Sequence, residues 1–377
     1  MAIQSDFFNF IEQHSDAVFF SDQSVSNEKN ALVFVHTLSY GGSQTALCSL
    51  LSRLKESGYS LWILSPLDGP FRETYLQNFG ANCIIHTFLM DDSYKKMLRN
   101  NFDLVVLNSI CSNYYAYPFI NTDIPVLFWI HESTNFLKQN TAQLIHPAFV
   151  SDNFHYIAAW PDAADGFQKI FTRKADILPI EIEDVYDGYT APTSDVCHFL
   201  IPGAYVEQKG FHAVLQVIQN LPANYMEKSH FTFLGHMGNE NYYNQLKEAA
   251  SSLPNVTILG EVPFSEMKTY YKNCDCVISP SFFDAGPMTV VEAMMMKKLC
   301  IVSNLCGVSS FISDCENGFV YPGENLEELY KRIILVISDK DSLTKIAEKG
   351  RETYESNFTK EAIDKKYQQL LDQYITR

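Results

Sequence analysis

The run DCVISPSFFDAGPMTVVEA (275–293) holds, in order, a short apolar β-rich segment, a turn containing proline and glycine, and the opening of an apolar helical pattern. An apolar run of that length bounded by turn residues reads as a strand buried on both faces, and the pattern after Pro287 reads as a helix. A strand that passes through a loop directly into a helix is the repeating piece of a parallel α/β sheet. The same rhythm extends outward through HFLIPG (198–203), HFTFLG (230–235), VTILG (256–260) and LCIVS (299–303), with helical segments between. One doubly wound, Rossmann-like domain is therefore expected over 195–358.

Upstream, ALVFVH (31–36), SLWILS (60–65), DLVVLN (103–108) and PVLFWI (125–130) repeat the pattern, and Leu47, Leu50, Leu51 and Leu54 recur at helical spacing between the first two. This predicts a second Rossmann-like domain over 1–180 with right-handed crossovers. The stretch from Leu178 to Ser194, rich in Asp, Glu, Thr, Tyr and Pro, reads as the linker. The last helical segment, about Lys360 to Tyr374, is expected to pack back onto the first domain. The fold class is α/β, two doubly wound domains facing across a cleft, with ligands beyond the carboxyl ends of the strands.

Apolar residues make up 46% of the 377-residue chain and charged residues 19%, a globular composition. The formal charge of −16 repels a nucleic-acid backbone, so no nucleic-acid partner is expected. Lys95, Lys96 and Arg99 form one basic cluster, either a solvated helix face or a place of peripheral contact with anionic lipid. Phe7, Phe8, Phe10 and Ile11 could form a short amphipathic helix, read as packed on the first domain. No stretch approaches the roughly 18 apolar residues of a membrane span. Met1 to Asn9 lack the character of a secretion signal, so the expected compartment is the cytoplasm, with contact at the inner face of the plasma membrane as an option. Nine cysteines without metal-ligand spacing are expected to be mostly buried reduced thiols.

Three post-strand loops carry the candidate chemistry. Ser39-Tyr40-Gly41-Gly42-Ser43 precedes a helix whose first amides could meet an anion, although a tight turn without a ligand would use the same residues. Gly203-Ala204-Tyr205-Val206-Glu207-Gln208-Lys209-Gly210 places a lysine where it could approach a diphosphate, or merely stand on the surface. In the third loop Asp284 and Glu292 are separated by seven residues, the first in the loop and the second about one turn into the helix. Amides near Gly286, Met288 and Thr289 would face phosphate there, Pro287 contributing none. Glu292 suits ribose hydroxyls.

The third motif resembles the E-x7-E signature of family 4 retaining glycosyltransferases of the GT-B fold, in a D-[AS]-G-P-M variant. The second is similar to their G-R-x-x-x-x-K-G element, Gly41-Gly42 to their N-terminal glycine loop, and Phe128-Trp129-Ile130-His131-Glu132 to the strand end bearing an active-site histidine. Gly307-Val308 and Glu316-Asn317-Gly318-Phe319-Val320 match the punctuation of the second domain. The resemblance runs from about Ala31 to Glu328.

It implies a nucleotide diphosphate sugar as donor, UDP-sugars being commonest, with Gly203 and Lys209 at the diphosphate and Glu292 on the ribose. Asp284 and His131 would lie at the transferred sugar, and the Gly41 and Gly42 amides near phosphate and acceptor. No cofactor and no metal are expected; Asp339-Lys340-Asp341 reads as a polar turn between helices. The acceptor would be a glycan or lipid-linked glycan in bacterial capsule, O-antigen or lipopolysaccharide synthesis. Two departures stand out: Ala204 where the family has arginine, and Asp284 where glutamate is more usual. Ala204 supports the alternative of a catalytically degenerate binding subunit serving a partner enzyme. An epimerase or phosphorylase of the same fold would need acid/base carboxylates or a cofactor site that the sequence does not display.

Overall fold

The computed structural model describes residues 18–21, 29–39, 41–85, 92–144, 151–189 and 194–374. The segment 7–11, Tyr40 and the side chain of Lys95 lie outside the described residues. The chain divides into two compact units, Met1–Glu181 with Ile363–Arg377, and Ile182–Ala362.

Unit 1 contains β1 (Val18–Phe20), β2 (Lys29–Val35), β3 (Tyr59–Ser65), β4 (Asn82–Ile85), β5 (Leu104–Asn108), β6 (Val126–Ile130), β7 (Phe154–Ala158) and β8 (Ala175–Ile177). They form one sheet in the order β1-β4-β3-β2-β5-β6-β7-β8, parallel except where β1 runs against β4. Helices cover a parallel sheet on both faces, which is why Ala31 to Val35 of β2 are all fully buried. The order reverses between β2 and β5. At such a switch point the post-strand loops diverge to opposite faces and leave a crevice beyond the strand ends.

Unit 2 contains β9 (Cys197–Pro202), β10 (Ser229–Leu234), β11 (Val256–Leu259), β12 (Cys276–Ser279), β13 (Leu299–Ser303) and β14 (Phe319–Tyr321), in the order β11-β10-β9-β12-β13-β14, all parallel. Here the switch point lies between β9 and β12. Its core joins Phe199, Phe231, Phe233, Ile278 and Ile301 from the sheet to Val214, Ile218, Leu329 and Ile333 from the helices.

The segment after β8 carries no helix or strand over 178–189, but it is pinned to unit 2. The Ile182 amide donates to the Phe358 carbonyl, the Tyr354 hydroxyl to the Ile182 carbonyl, and the Arg351 guanidinium pairs with Asp184. The helix Lys360–Tyr374 supplies the return to unit 1. Ile363, Tyr367 and Leu370 are buried, Arg53 donates to Asp364 at 2.8 Å, and Tyr374 stacks on His155 with centroids 4.2 Å apart. Among the described helices none is long and apolar enough to cross a membrane.

Candidate functional site

In unit 2, β9 ends at Pro202 and Gly203 follows with φ +154°, which side-chain-bearing residues rarely adopt. Its amide donates to the Leu234 carbonyl at 2.9 Å. The neighbouring strand end approaches so closely that a Cβ on Gly235 would meet the Gly203 carbonyl oxygen far inside the 3.0 Å limit of real contacts. Gly210, at φ +69°, ends the short turn Glu207–Lys209, and a Cβ there would strike the Pro280 carbonyl. The loop after β9 therefore lies directly on the loop after β12. The Phe282 amide, donating to the Gln208 carbonyl at 2.9 Å, fixes that contact.

The consequence is an ion pair between the Lys209 ammonium and Asp284 Oδ2, with side chains 22% and 12% exposed. The Gly286 amide donates to Asp284 Oδ1 at 3.2 Å, so it is not free for a phosphate as the sequence suggested. A carboxylate two residues upstream simply captures it, as Asp commonly does in turns. The helix Met288–Met295 starts after Pro287, and Val290 donates back to the Pro287 carbonyl at 3.1 Å. Met288 and Thr289, in the first turn, are left without an intrahelical acceptor and point the positive end of the helix outward. Glu292 stands one turn further in, where Tyr271 donates its hydroxyl to Oε2 at 2.5 Å. Burial pushes the Glu292 carboxyl above its usual range, opposed by the Tyr271 bond, and burial raises the Tyr271 hydroxyl well above its own.

In unit 1, the helix Gly42–Glu56 begins immediately after Gly41, with no side-chain cap on its first amides. Gln44, 2% exposed, holds the loop by donating to the Thr37 carbonyl. Nothing described lies within 4 Å of where a Cβ on Gly42 would project. His131, just past β6 and 7% exposed, contacts Asn108 Oδ1 through Nε2 at 2.8 Å, while its Nδ1 has no partner among the described residues. Burial first, and then nearby His36, lower its pKa to about 3, so the ring is neutral near pH 7. Glu132 is half-buried and fully engaged. Its carboxylate accepts from the Ser109 hydroxyl and from the Ile110 and His131 amides.

The loops after β2, β9 and β12 thus carry their predicted residues to the two switch points, while His131 stands one strand away, at the end of β6. His131, Gly41 and Gly42 fall in unit 1, and Gly203, Lys209, Asp284, Gly286, Met288, Thr289 and Glu292 fall in unit 2. Residues 194–353 match the family model of group 1 glycosyl transferases. The match falls entirely within unit 2. A 179-residue segment is 24% identical to an uncharacterized glycosyltransferase of Methanocaldococcus jannaschii, covering 46% of this chain and 48% of that protein. A 173-residue segment is 25% identical to the lipopolysaccharide core biosynthesis glycosyltransferase LpsE of Rhizobium meliloti, covering 45% and 48%. The matched segments span about half the length of these two relatives. The structure of Anabaena HepE in complex with UDP aligns over 92% of this chain and all of that one, with a TM-score of 0.76 at 16% identity. The fold is GT-B.

Within unit 2 the sequence missed Tyr271 and Gly235. Tyr271 lies on another helix, and no spacing signals its meeting with Glu292. Gly235 ends the HFTFLG run, but its close approach to Gly203 exists only once β9 and β10 pair. A cavity lined by Asp275, Lys297, Lys298 and Lys340 lies at the opposite, amino-terminal edge of this sheet. There Lys340 pairs with Asp275 and donates to the Ser194 carbonyl, a structural tie rather than part of the site.

Two consequences follow from burial. Glu292 has a raised folded pKa, so its contribution to stability is full below the unfolded value of 4.5 and is lost as pH rises through the folded one. Glu292→Gln keeps the acceptor for Tyr271 without the buried charge. It is expected to raise the Tm at pH 7 and to leave it nearly unchanged at pH 4, read by thermal unfolding at both. His131 has the opposite sign of shift. Its stabilisation is present above its unfolded value of 6.5 and is lost towards pH 3, at up to about 1.4 kcal/mol per pH unit for one proton. His131→Gln should flatten that part of the acid-unfolding curve, and an unchanged slope would contradict a buried neutral ring.

Proposed function

We propose that the chain is a retaining glycosyltransferase that moves a sugar from a nucleotide diphosphate sugar, a UDP-sugar, to a glycan or lipid-linked glycan acceptor in bacterial surface polysaccharide synthesis. The observation that carries this is the grouping, at one switch point of unit 2, of the Lys209 ammonium, Asp284, the Met288 and Thr289 amides, and Glu292. A cation and outward amides suit a departing diphosphate, and a carboxylate one helical turn away suits ribose hydroxyls.

In this reading Gly203 lets the diphosphate approach backbone, Lys209 and the helix amides hold the charge that develops on it, and Glu292 takes the ribose. Asp284 and His131 meet hydroxyls of the transferred sugar, and the Gly41 and Gly42 amides serve phosphate and acceptor. The diphosphate itself accepts the acceptor's proton in a same-face attack, so the step needs neither a protein nucleophile nor a metal ion. The names of the LpsE relative and of the UDP-bound HepE structure support the acceptor class and the donor base. Peripheral contact with the inner face of the membrane belongs to the same proposal, and exposed Lys96 and Arg99 support it. Ala204 favours a second reading, a degenerate binding subunit, because it removes the fork-like cation a diphosphate would use.

The test is the configuration of the product. With a UDP-α-sugar, the first-formed sugar detected by proton NMR should be α, at a rate that EDTA leaves unchanged. A β product first, or loss of turnover with EDTA, would sink the corresponding part of the mechanism.

A further inference from the structure

Three post-strand loops of unit 1 are joined by one hydrogen-bonded chain. Asn108, the last residue of β5, donates through Nδ2 to the Ser43 carbonyl at 3.1 Å. A backbone carbonyl can only accept, so the amide orientation is fixed and Oδ1 is the atom left facing His131. Oδ1 in turn can only accept, so the His131 nitrogen 2.8 Å away, Nε2, must carry the proton. A neutral ring protonated at Nε2 has a bare lone pair on Nδ1. That is the nitrogen without a partner among the described residues, in a side chain 7% exposed.

The backbone around Asn108 is held against strain. Ser109 has φ +109° and ψ 142°, a conformation costing about 1–3 kcal/mol for a residue with a side chain. It persists because Glu132 clasps both strand ends, accepting the Ser109 hydroxyl, the Ile110 amide at 3.1 Å and the His131 amide at 3.0 Å. Ser43, at the other end of the chain, is the second residue of the helix that follows Gly41. Asn108 is thus fixed from both sides, by the glycine-loop helix and by the carboxylate clasp.

We infer that Asn108 is the positioning residue that holds His131 as its Nε2–H tautomer, presenting Nδ1 as an acceptor for a hydroxyl of a bound sugar. The tautomer follows from the hydrogen-bond geometry alone, whereas the sugar hydroxyl rests on the function proposed above. Asn108 acts through His131 and touches no substrate itself.

The test uses the full chain with 15N-labelled histidine and long-range 1H–15N correlation, which reports the protonation of each ring nitrogen. Wild type should show His131 protonated at Nε2 and bare at Nδ1 between about pH 5 and 8, with a slowly exchanging Nε2 proton. Asn108→Ala should lose that protected proton and populate the other tautomer. Asn108→Asp, nearly isosteric and still an acceptor for Nε2–H but without the amide donor to the Ser43 carbonyl, should keep more of it than Asn108→Ala. Dispersion of the remaining signals shows whether each variant folds. A proton on Nδ1 in wild type, or an unaltered His131 signature in Asn108→Ala, overturns the inference. For hydrolysis of a UDP-sugar, Asn108→Ala should lower kcat about tenfold with little change in KM, and Asn108→Asp should recover part of it. An unchanged kcat overturns the positioning role. If wild type turns over no nucleotide sugar, the functional proposal fails while the tautomer result stands or falls by itself.

Discussion

Lys209→Met is expected to lower turnover of the donor sugar about 10²–10³-fold, the loss seen when one fixed charge or donor is removed from a developing anion. The effect should be that large because Ala204 stands where a second cation would share the load. Methionine keeps the stem of the lysine, which runs 3.8 Å from where a Cβ on Gly203 would project, and removes only the ammonium. The pair it breaks with Asp284 is partly solvated, so the stability cost should be near 1 kcal/mol rather than the 3–5 kcal/mol of a fully buried pair. Steady-state kinetics together with thermal unfolding separate the two effects. Turnover within threefold of wild type would remove Lys209 from the diphosphate.

Gly235→Ala should be the most damaging single-methyl change in unit 2. The added carbon would overlap the Gly203 carbonyl, and the contact is backbone against backbone, so no side chain can swing aside. Overpacking relieved only by moving two strand ends costs about 3 kcal/mol, which lowers the Tm by roughly 6–12 °C for a unit of this size. The Gly203 loop shifts with it, so nucleotide affinity should fall as well. Gly42→Ala, with open space at its Cβ, should leave the Tm within experimental error and makes the matched control.

How far the sequence revealed the molecule can be traced to particular residues. Long apolar runs such as ALVFVH and LCIVS announced β2 and β13, because a parallel strand covered on both faces must be apolar throughout. The strands that went unread, β1, β4, β7, β8 and β14, are three to five residues long. β1, β8 and β14, at three residues, are too short for periodicity to separate a strand from a loop, and Asn82 in β4 and His155 in β7 break the continuous apolar run. The motifs were legible because loops at a switch point have local spacing, as Asp284 and Glu292 do. Their partners were not. Tyr271 reaches Glu292, and Asn108 reaches His131, only after sheet pairing or helix packing closes a long stretch of chain. The Gly286 amide misled for the converse reason, since a side chain two residues away captured a group that the motif left nominally free.

In the proposed function, unit 2 binds a nucleotide diphosphate sugar through Lys209 and Glu292. Titration of purified protein with UDP-sugars, followed by thermal unfolding, tests it most directly. At a donor concentration of 100 Kd, binding should add about 2.7 kcal/mol, a Tm rise of roughly 5–10 °C. Lys209→Met and Glu292→Ala should each abolish that rise at the same concentration. If no nucleotide diphosphate sugar shifts the wild-type transition, or if both variants respond as wild type does, the assignment of this site is wrong.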